Sequence, residues 1–284
     1  MDVPFRLVDV FTPTPLSGNQ LCVVPDQVDL DDATMQALAK EIGFSETTFV
    51  TEAAGDRYTM RIFTPDAELP FAGHPTLGTA FVLVSEGRAT SPGTQSTAAG
   101  EIPVEVDLAS NAAWMTQLPV EFGREFDDRS LIARAIGLRP DDLEPDLPVQ
   151  TVTTGLLWTI VPVRDVDRLG RAQRDARALG EAVAISGDEG LYLFAVTDEG
   201  ATARMFDAGH GIGEDPATGS AAGPLGAYLA EHGRGGMPGS ILVRQGEQVG
   251  RPSELHVEVR DEKGRWRVRV GGGVHVVGRG EFRL

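Results

Sequence analysis

The 284-residue chain is 41% hydrophobic, enough to bury a sizeable core in one large domain or two of ordinary size. A net charge of −17, with no cluster of Lys and Arg, excludes nucleic acid as a partner, because a polyanion needs a basic face. No apolar run approaches the roughly 18 residues of a membrane helix, and the N-terminus has no basic region followed by an apolar core, so no membrane partner is expected and the cytoplasm is the expected compartment.

Residues 5–10 alternate and predict a first strand. The turn-rich stretch Thr12-Pro-Thr-Pro-Leu-Ser-Gly-Asn19 leads to a short strand at 21–24. From Asp31 to Ile42 the apolar residues Met35, Leu38, Ala39 and Ile42 recur at helical spacing, and Gly43 is placed to end that helix. Residues 44–50 read as a loop feeding a strand, 58–63 as a strand, and 64–71 as a loop carrying prolines and acids. From Gly73 to Val84 the sequence is apolar almost all round, which predicts a buried helix with Pro75 at its first position. A small, polar turn region at 88–100 precedes strand-like runs at 102–106 and 113–117.

A second unit begins near Leu118, giving an N-terminal lobe (1–117) and a C-terminal lobe (118–284) whose last strand can return to the first. Its predicted elements are a helix at 129–136, a loop at 140–148, strands at 149–153 and 157–161, and a helical stretch of leucines and arginines at 168–183. Strands follow at 191–196, 202–206, 240–244, 255–259, 266–270 and 274–277. No strand–GxGxxG–helix unit and no GxxxxGK[ST] loop occurs.

The stretch Glu214-Asp-Pro-Ala-Thr-Gly-Ser220 stands before an alanine-rich helical run, 221–230. Asp215 ahead of Pro216 is an N-cap signal. A helix N-terminus offers free N–H groups and partial positive charge, so an acid and an anion site would share one place. The plain alternative is a capped helix whose Asp215 serves only the backbone. The chain builds a similar feature twice. Arg61-Ile-Phe63 matches Arg204-Met-Phe206, and Gly73-His-Pro-Thr-Leu-Gly-Thr-Ala80 matches Asp215-Pro-Ala-Thr-Gly-Ser-Ala-Ala222, which sets Thr76 opposite Thr218, half a chain apart. A repeat of that length means duplicated domains with a cleft between them, where small-molecule sites prefer to lie. Two helix starts facing that cleft would hold one carboxylate. Pro224 should kink the second helix or free a carbonyl.

Phe11-Thr-Pro13, Ser17-Gly-Asn19, Gly43-Phe-Ser-Glu-Thr47, Phe71-Ala-Gly-His-Pro-Thr76 and Glu214-Asp-Pro-Ala-Thr-Gly-Ser-Ala221 occur in this order over nearly the whole chain. The series resembles the PhzF-like family of phenazine-biosynthesis isomerases and, more distantly, the diaminopimelate epimerase fold. The resemblance implies an α+β fold of two pseudo-symmetric lobes, each a curved, mostly antiparallel sheet or barrel around a central helix. It implies a proton-moving active site between the lobes that uses no cofactor, and a homodimer. The family's catalytic glutamate falls at Glu46, a carboxyl that can take and return a proton in a closed, partly apolar site. His74 would donate to, or exchange a proton with, the substrate, and Asp215 would be the acidic partner from the second lobe. Asn19, Gly73, Gly219 and Ser220 form the implied substrate-binding shell, in which glycine lets the backbone approach and Ser220 adds a hydroxyl. Glu214 reads as a surface acid. Gln20 departs from the family's usual proline.

Other chemistries find little support. The only lysines are Lys40 and Lys263, neither near a glycine-rich or acidic constellation, which argues against pyridoxal phosphate. His210 with Asp207, Glu214 or Asp215 matches no zinc spacing, so no metal is expected. The single Cys22 rules out an internal disulfide and the two-cysteine racemase branch of the fold. The expected function is a cofactor-independent isomerase that moves a proton on a small cyclic or aromatic-precursor carboxylic acid. The family's reference reaction acts on a dihydro-hydroxyanthranilate. A racemase or epimerase of small carboxylic acids, a ligand-binding protein without turnover and, third, a metal-dependent hydrolase are the alternatives.

Overall fold

The computed structural model describes residues 1–209 and 211–284. The first repeat runs β1 (Asp2–Val10), β2 (Asn19–Val24), α1 (Asp32–Ile42), β3 (Glu46–Ala54), β4 (Arg57–Phe63) and β5 (Glu68–Leu69). It continues with α2 (Gly73–Ser85), β6 (Gly93–Thr97), β7 (Gly100–Asp107) and β8 (Ala112–Thr116). The second opens with β9 (Glu121–Glu125), α3 (Arg129–Ala135), β10 (Gln150–Thr153), β11 (Leu157–Pro162), α4 (Val166–Arg171) and α5 (Ala176–Ser186). It ends with β12 (Gly190–Thr197), β13 (Gly200–Asp207), β14 (Glu214–Asp215), α6 (Gly219–Glu231), β15 (Gly239–Gln245), β16 (Ser253–Asp261) and β17 (Trp266–Arg283).

Strand pairing repeats in the same pattern. β1 pairs antiparallel with β2 as β10 does with β11, and β2 runs parallel to β3 as β11 does to β12, with helices in the crossovers. The hairpins β3–β4 and β12–β13 each lead to a short added strand, then a helix, then a parallel strand, β6 or β15. In the first lobe the path β1–β2–β3–β4–β6–β7–β8–β17 closes back on β1. The barrel therefore needs the end of the chain, since β17 pairs with β8 over Arg269–Gly273 and then with β1 from Val274 onward. By the same logic β9 lies beside β10, but among the described residues no ladder joins β9 to β17.

α2 runs through the first barrel and is buried from Gly73 to Leu83, packed on β1, β2, β3, β7, β8 and β17. α6 occupies the second lobe in the same way, against β10, β11, β16 and β17. Both are apolar on all sides because both are enclosed on all sides. Each fully buried Leu, Val or Phe on them contributes about 1.5–3 kcal/mol. The α+β fold of two pseudo-symmetric lobes around central helices is as expected.

Several local expectations are corrected. Gly73 opens α2 behind Ala72 as N-cap, so Pro75 is the third helical residue, not the first. Thr218, not Asp215, is the N-cap of α6. Thr218 thus corresponds to Ala72, and Ser220 to His74; the match of Thr76 with Thr218 is out of register. The 168–183 stretch is two helices, because the Asp175 carboxylate accepts from the Arg177 and Ala178 N–H groups and starts α5 anew. The last two predicted strands are one. Gly271, Gly272 and Gly273 do not break it; they let it pass Trp114, Phe11 and Thr12, where an added Cβ would stand 2.2, 2.9 and 2.0 Å from neighbouring atoms. α6 continues through Pro224, whose missing N–H frees the Ser220 carbonyl.

Glu214 is no loose surface acid. It takes a bidentate ion pair from Arg204 (2.8 and 2.7 Å), as Glu68 does from Arg61 (2.7 and 2.7 Å). Each arginine also lies over the phenylalanine two residues on, Phe206 at 4.9 Å and Phe63 at 5.0 Å. This clamp is the structural content of the repeated Arg-x-Phe and holds each short strand in front of its central helix.

Candidate active site

The two central helices meet at their N-termini. A Cβ on Gly73 would stand 2.6 Å from the Ser220 nitrogen and 2.8 Å from the Gly219 carbonyl carbon, and one on Gly219 would stand 2.6 Å from the Phe11 ring. Only glycine permits that approach. α1, α3, α4 and α5 all have an N-cap aspartate accepting from first-turn N–H groups, whereas α2 and α6 have no side-chain cap. Two uncapped helix ends, both positive by their dipoles, therefore converge on one point, which is an anion-binding arrangement.

They open into a cavity lined by Glu46, His74, Asp215, Gly73, Gly219 and Ser220 among others. Glu46 begins β3 and His74 is the second residue of α2; Glu46 Oε2 and His74 Nε2 are 3.3 Å apart. Both are buried. Burial pushes the His74 pKa down to about 3, against a hydrogen bond with the Gln20 backbone that favours the charged form, so the ring is neutral at pH 7.

Asp215 is equally buried but richly partnered. Its Oδ1 accepts from Asn19 Nδ2 (2.8 Å) and Ser45 Oγ (2.8 Å), and its Oδ2 from Thr218 Oγ1 (2.6 Å). Burial pushes its pKa up to about 6, the three donors pull it down, and the Asp207 charge pushes it up again. At neutral pH it is largely ionised. The expectation that Asp215 caps α6 is wrong in detail: it accepts the hydroxyl of the cap residue, and Gln245 Nε2 donates to its backbone carbonyl (2.8 Å).

Asn19 stands behind the cavity wall, not on it. Its amide donates to Asp215 Oδ1 and to the Ala217 carbonyl (2.9 Å) and lies 3.1 Å from His74 Nδ1, so one side chain ties the two lobes' polar groups together. The structure thus brings Glu46, His74, Asp215, Gly73, Gly219 and Ser220 to one cavity, with Asn19 as the brace between them. Cys22 lies buried within the β1–β2–β3 sheet, where burial raises its thiol pKa to about 12. His210 lies outside the described residues.

The cavity also contains two residues that sequence reasoning passed over, and Asp207, which it weighed only as a metal ligand. Trp158, Glu189 and Asp207 line it from the second lobe. Asp207 follows the repeated Arg-Met-Phe206, and a reading of that repeat as a hairpin would have placed it near Asp215. Ser45 adjoins Glu46 in the sequence and could have been found with it. Trp158 and Glu189 carry no local signal.

Residues 8–280 match the family described as phenazine biosynthesis-like protein. The trans-2,3-dihydro-3-hydroxyanthranilate isomerase of Pseudomonas fluorescens is 34% identical over 287 residues, covering 99% of each chain. A predicted epimerase from Pseudomonas aeruginosa superposes with a TM-score of 0.88 at 35% identity, covering 99% of each chain. A probable proline racemase from Agrobacterium radiobacter K84, at 14% identity and a TM-score of 0.67, covers 99% of this chain and 93% of its own and shares the fold alone. With the motifs, the paired lobes and the meeting helix ends already in place, these matches make the chain a member of the PhzF-type, phenazine biosynthesis-like family.

Proposed function

We propose that this protein is an isomerase that moves a proton on a small carboxylic acid, in a reaction similar to that of trans-2,3-dihydro-3-hydroxyanthranilate isomerase. The observation that carries the reading is the Glu46–His74 pair, 3.3 Å apart, beside two uncapped helix ends in one cavity. The helix ends at Gly73 and Gly219–Ser220 hold the substrate carboxylate, and this keeps the neighbouring C–H close to Glu46. Glu46 removes that proton as base and returns it, or Asp215 with His74 delivers one, elsewhere on the conjugated system. N–H groups aimed at the carboxylate also stabilise the extra negative charge it gains as the carbanion forms. Neutral His74 donates to an enol or carbonyl oxygen without adding a net charge. The chemistry needs only side-chain acids and bases, and the reading includes no organic cofactor or metal, a homodimer and a cytoplasmic location.

Glu46→Gln is expected to lower turnover about 10²–10⁴-fold while a carboxylate ligand still raises the melting temperature. Full turnover by that variant would remove Glu46 from the role of base. The likeness to a predicted epimerase favours one second reading, racemisation or epimerisation. Deuterium from solvent appearing at an inverted stereocentre would select it, and deuterium at a shifted position without inversion would select isomerisation.

A further inference from the structure

The two central helices lack side-chain caps for different reasons. The N-cap of α2 is Ala72, which has no side-chain acceptor to offer. The N-cap of α6 is Thr218, a residue type that commonly accepts from the second or third N–H of its own helix, yet here it makes no such bond. Its hydroxyl is held elsewhere. Thr218 Oγ1 donates to Asp215 Oδ2 at 2.6 Å and accepts from Gln245 Nε2 at 3.0 Å. The Ala221 and Ala222 N–H groups go to the Thr218 carbonyl, which leaves Ser220, the second helical residue, as the one a freed hydroxyl would cap.

Gln245 ends β15, is buried, and is not among the described lining residues of the cavity. Its amide makes four hydrogen bonds, the full capacity of the group. Nε2 donates to the Asp215 carbonyl (2.8 Å) and to Thr218 Oγ1, and Oε1 accepts the Thr218 N–H (3.2 Å) and the Tyr192 hydroxyl (3.0 Å). A carbonyl can only accept and an N–H only donate, so these partners fix which way the amide points. The first lobe is built differently. Thr59 pairs with Ser96 as Thr202 pairs with Arg244, so Thr97 holds the place of Gln245, and its hydroxyl donates to the Gly100 carbonyl of its own hairpin at 2.8 Å. The clamp therefore stands in the lobe whose cap residue is able to close its own helix.

We propose that Gln245 is a positioning residue that holds the Thr218 hydroxyl on Asp215 and off the Ser220 N–H, so that the N-terminus of α6 stays open. With Gln245 in place the hydroxyl has two bonds facing Asp215 against the single bond that capping would give. Without it the advantage is gone, and Asp215 can spare Thr218 because Asn19 and Ser45 still donate to its other oxygen. That the open N–H receives a carboxylate rests on the reading given under Proposed function; the clamp is read from its own hydrogen bonds.

Amide hydrogen exchange at Ser220, followed by NMR on the full chain, tests the clamp without a ligand. Gln245→Met keeps the side-chain length and removes the amide. The Ser220 amide of that variant is expected to exchange about fivefold more slowly than in wild type, the strength of one N-cap bond. Adding Thr218→Val removes the capping oxygen and should return exchange to within about twofold of wild type. If Gln245 only filled and satisfied the interior, Gln245→Met would loosen the helix end, and exchange would be faster and unrescued by Thr218→Val. That result, or exchange unchanged in Gln245→Met, overturns the proposal. Gln245→Asn, too short to span its partners, carries the same expectation where Gln245→Met does not fold. Calorimetry with benzoate separates the clamp from the cradle. Gln245→Met should bind benzoate about fivefold more weakly than wild type, and the double variant within about twofold of it. Slowed Ser220 exchange with undiminished benzoate affinity would uphold the clamp and reject the carboxylate cradle.

Discussion

Asp215 and His74 are both buried, and burial drives them in opposite directions. Folded Asp215 keeps its proton up to about pH 6, whereas an unfolded aspartate loses it near 3.8. The folded state binds more protons between those values, so this group's contribution to stability falls as pH rises through the window. Folded His74 refuses a proton until about pH 3, whereas an unfolded imidazole accepts one near 6.5, so its contribution falls as pH drops. Between pH 4 and 6 the two slopes oppose each other. Asp215→Asn removes one of them. The stability of that variant relative to wild type, from urea titrations, is expected to rise from pH 4 to pH 6 by about 2 kcal/mol. A difference that stays flat over that range would show that Asp215 does not take up a proton on folding. At this scale the sequence named Glu46, His74 and Asp215 through motifs, yet it could not show that Asn19 joins two of them.

The decisive element is the pair of central helices. Four surface helices are capped by aspartate and these two are not, although Asp215 stands within a few residues of α6. Their N–H groups carry no side-chain cap where Gly73 of one lobe meets Gly219 and Ser220 of the other. Gly73→Ala places a methyl against the backbone of Gly219 and Ser220, which cannot move aside as a flexible side chain would. It is expected to cost about 1–3 kcal/mol of stability and to weaken carboxylate binding at least tenfold, read by denaturant titration and by calorimetry. Unchanged binding would mean that the helix ends do not hold the anion. Apart from the 168–183 stretch, which is two helices, helix bounds were legible in the sequence to within a few residues, because periodicity and Gly or Asp signals are local. The true caps of α2 and α6 were not, because the usual cap signal of Asp215 is diverted to Asn19, Ser45 and Thr218.

For the whole molecule, the last strand decides whether the first lobe closes. Residues from Val274 on pair with β1, and the Leu284 N–H bonds the Met1 carbonyl at 2.9 Å. Removing residues 274–284 strips β1 of its β17 partner and leaves the barrel unclosed around a helix that is apolar on every side. That truncation is expected to cost more than about 5 kcal/mol, comparable to the stability of a typical domain. It should expose α2 to limited proteolysis. A truncated chain that melts with wild type and resists protease would show that the barrel does not depend on its last strand. No described helix is long and apolar enough to cross a membrane.

By itself the sequence determined the alternation of strands and helices, the duplication, the burial of the first central helix and the short motifs that carry Glu46, His74 and Asp215. These are written in local order, in periods of two and 3.6 and in runs of adjacent residues. The tertiary structure alone decided which distant residues became neighbours. It turned Glu214 into the mate of Arg204, set Asn19 between the lobes, and aligned Trp158, Gly190 and Asp207 across three strands. The physical reason is that strand register is fixed by pairing between segments far apart in the chain. A shift of one residue would turn every side chain to the other face, and no local pattern records which register the packed lobes select.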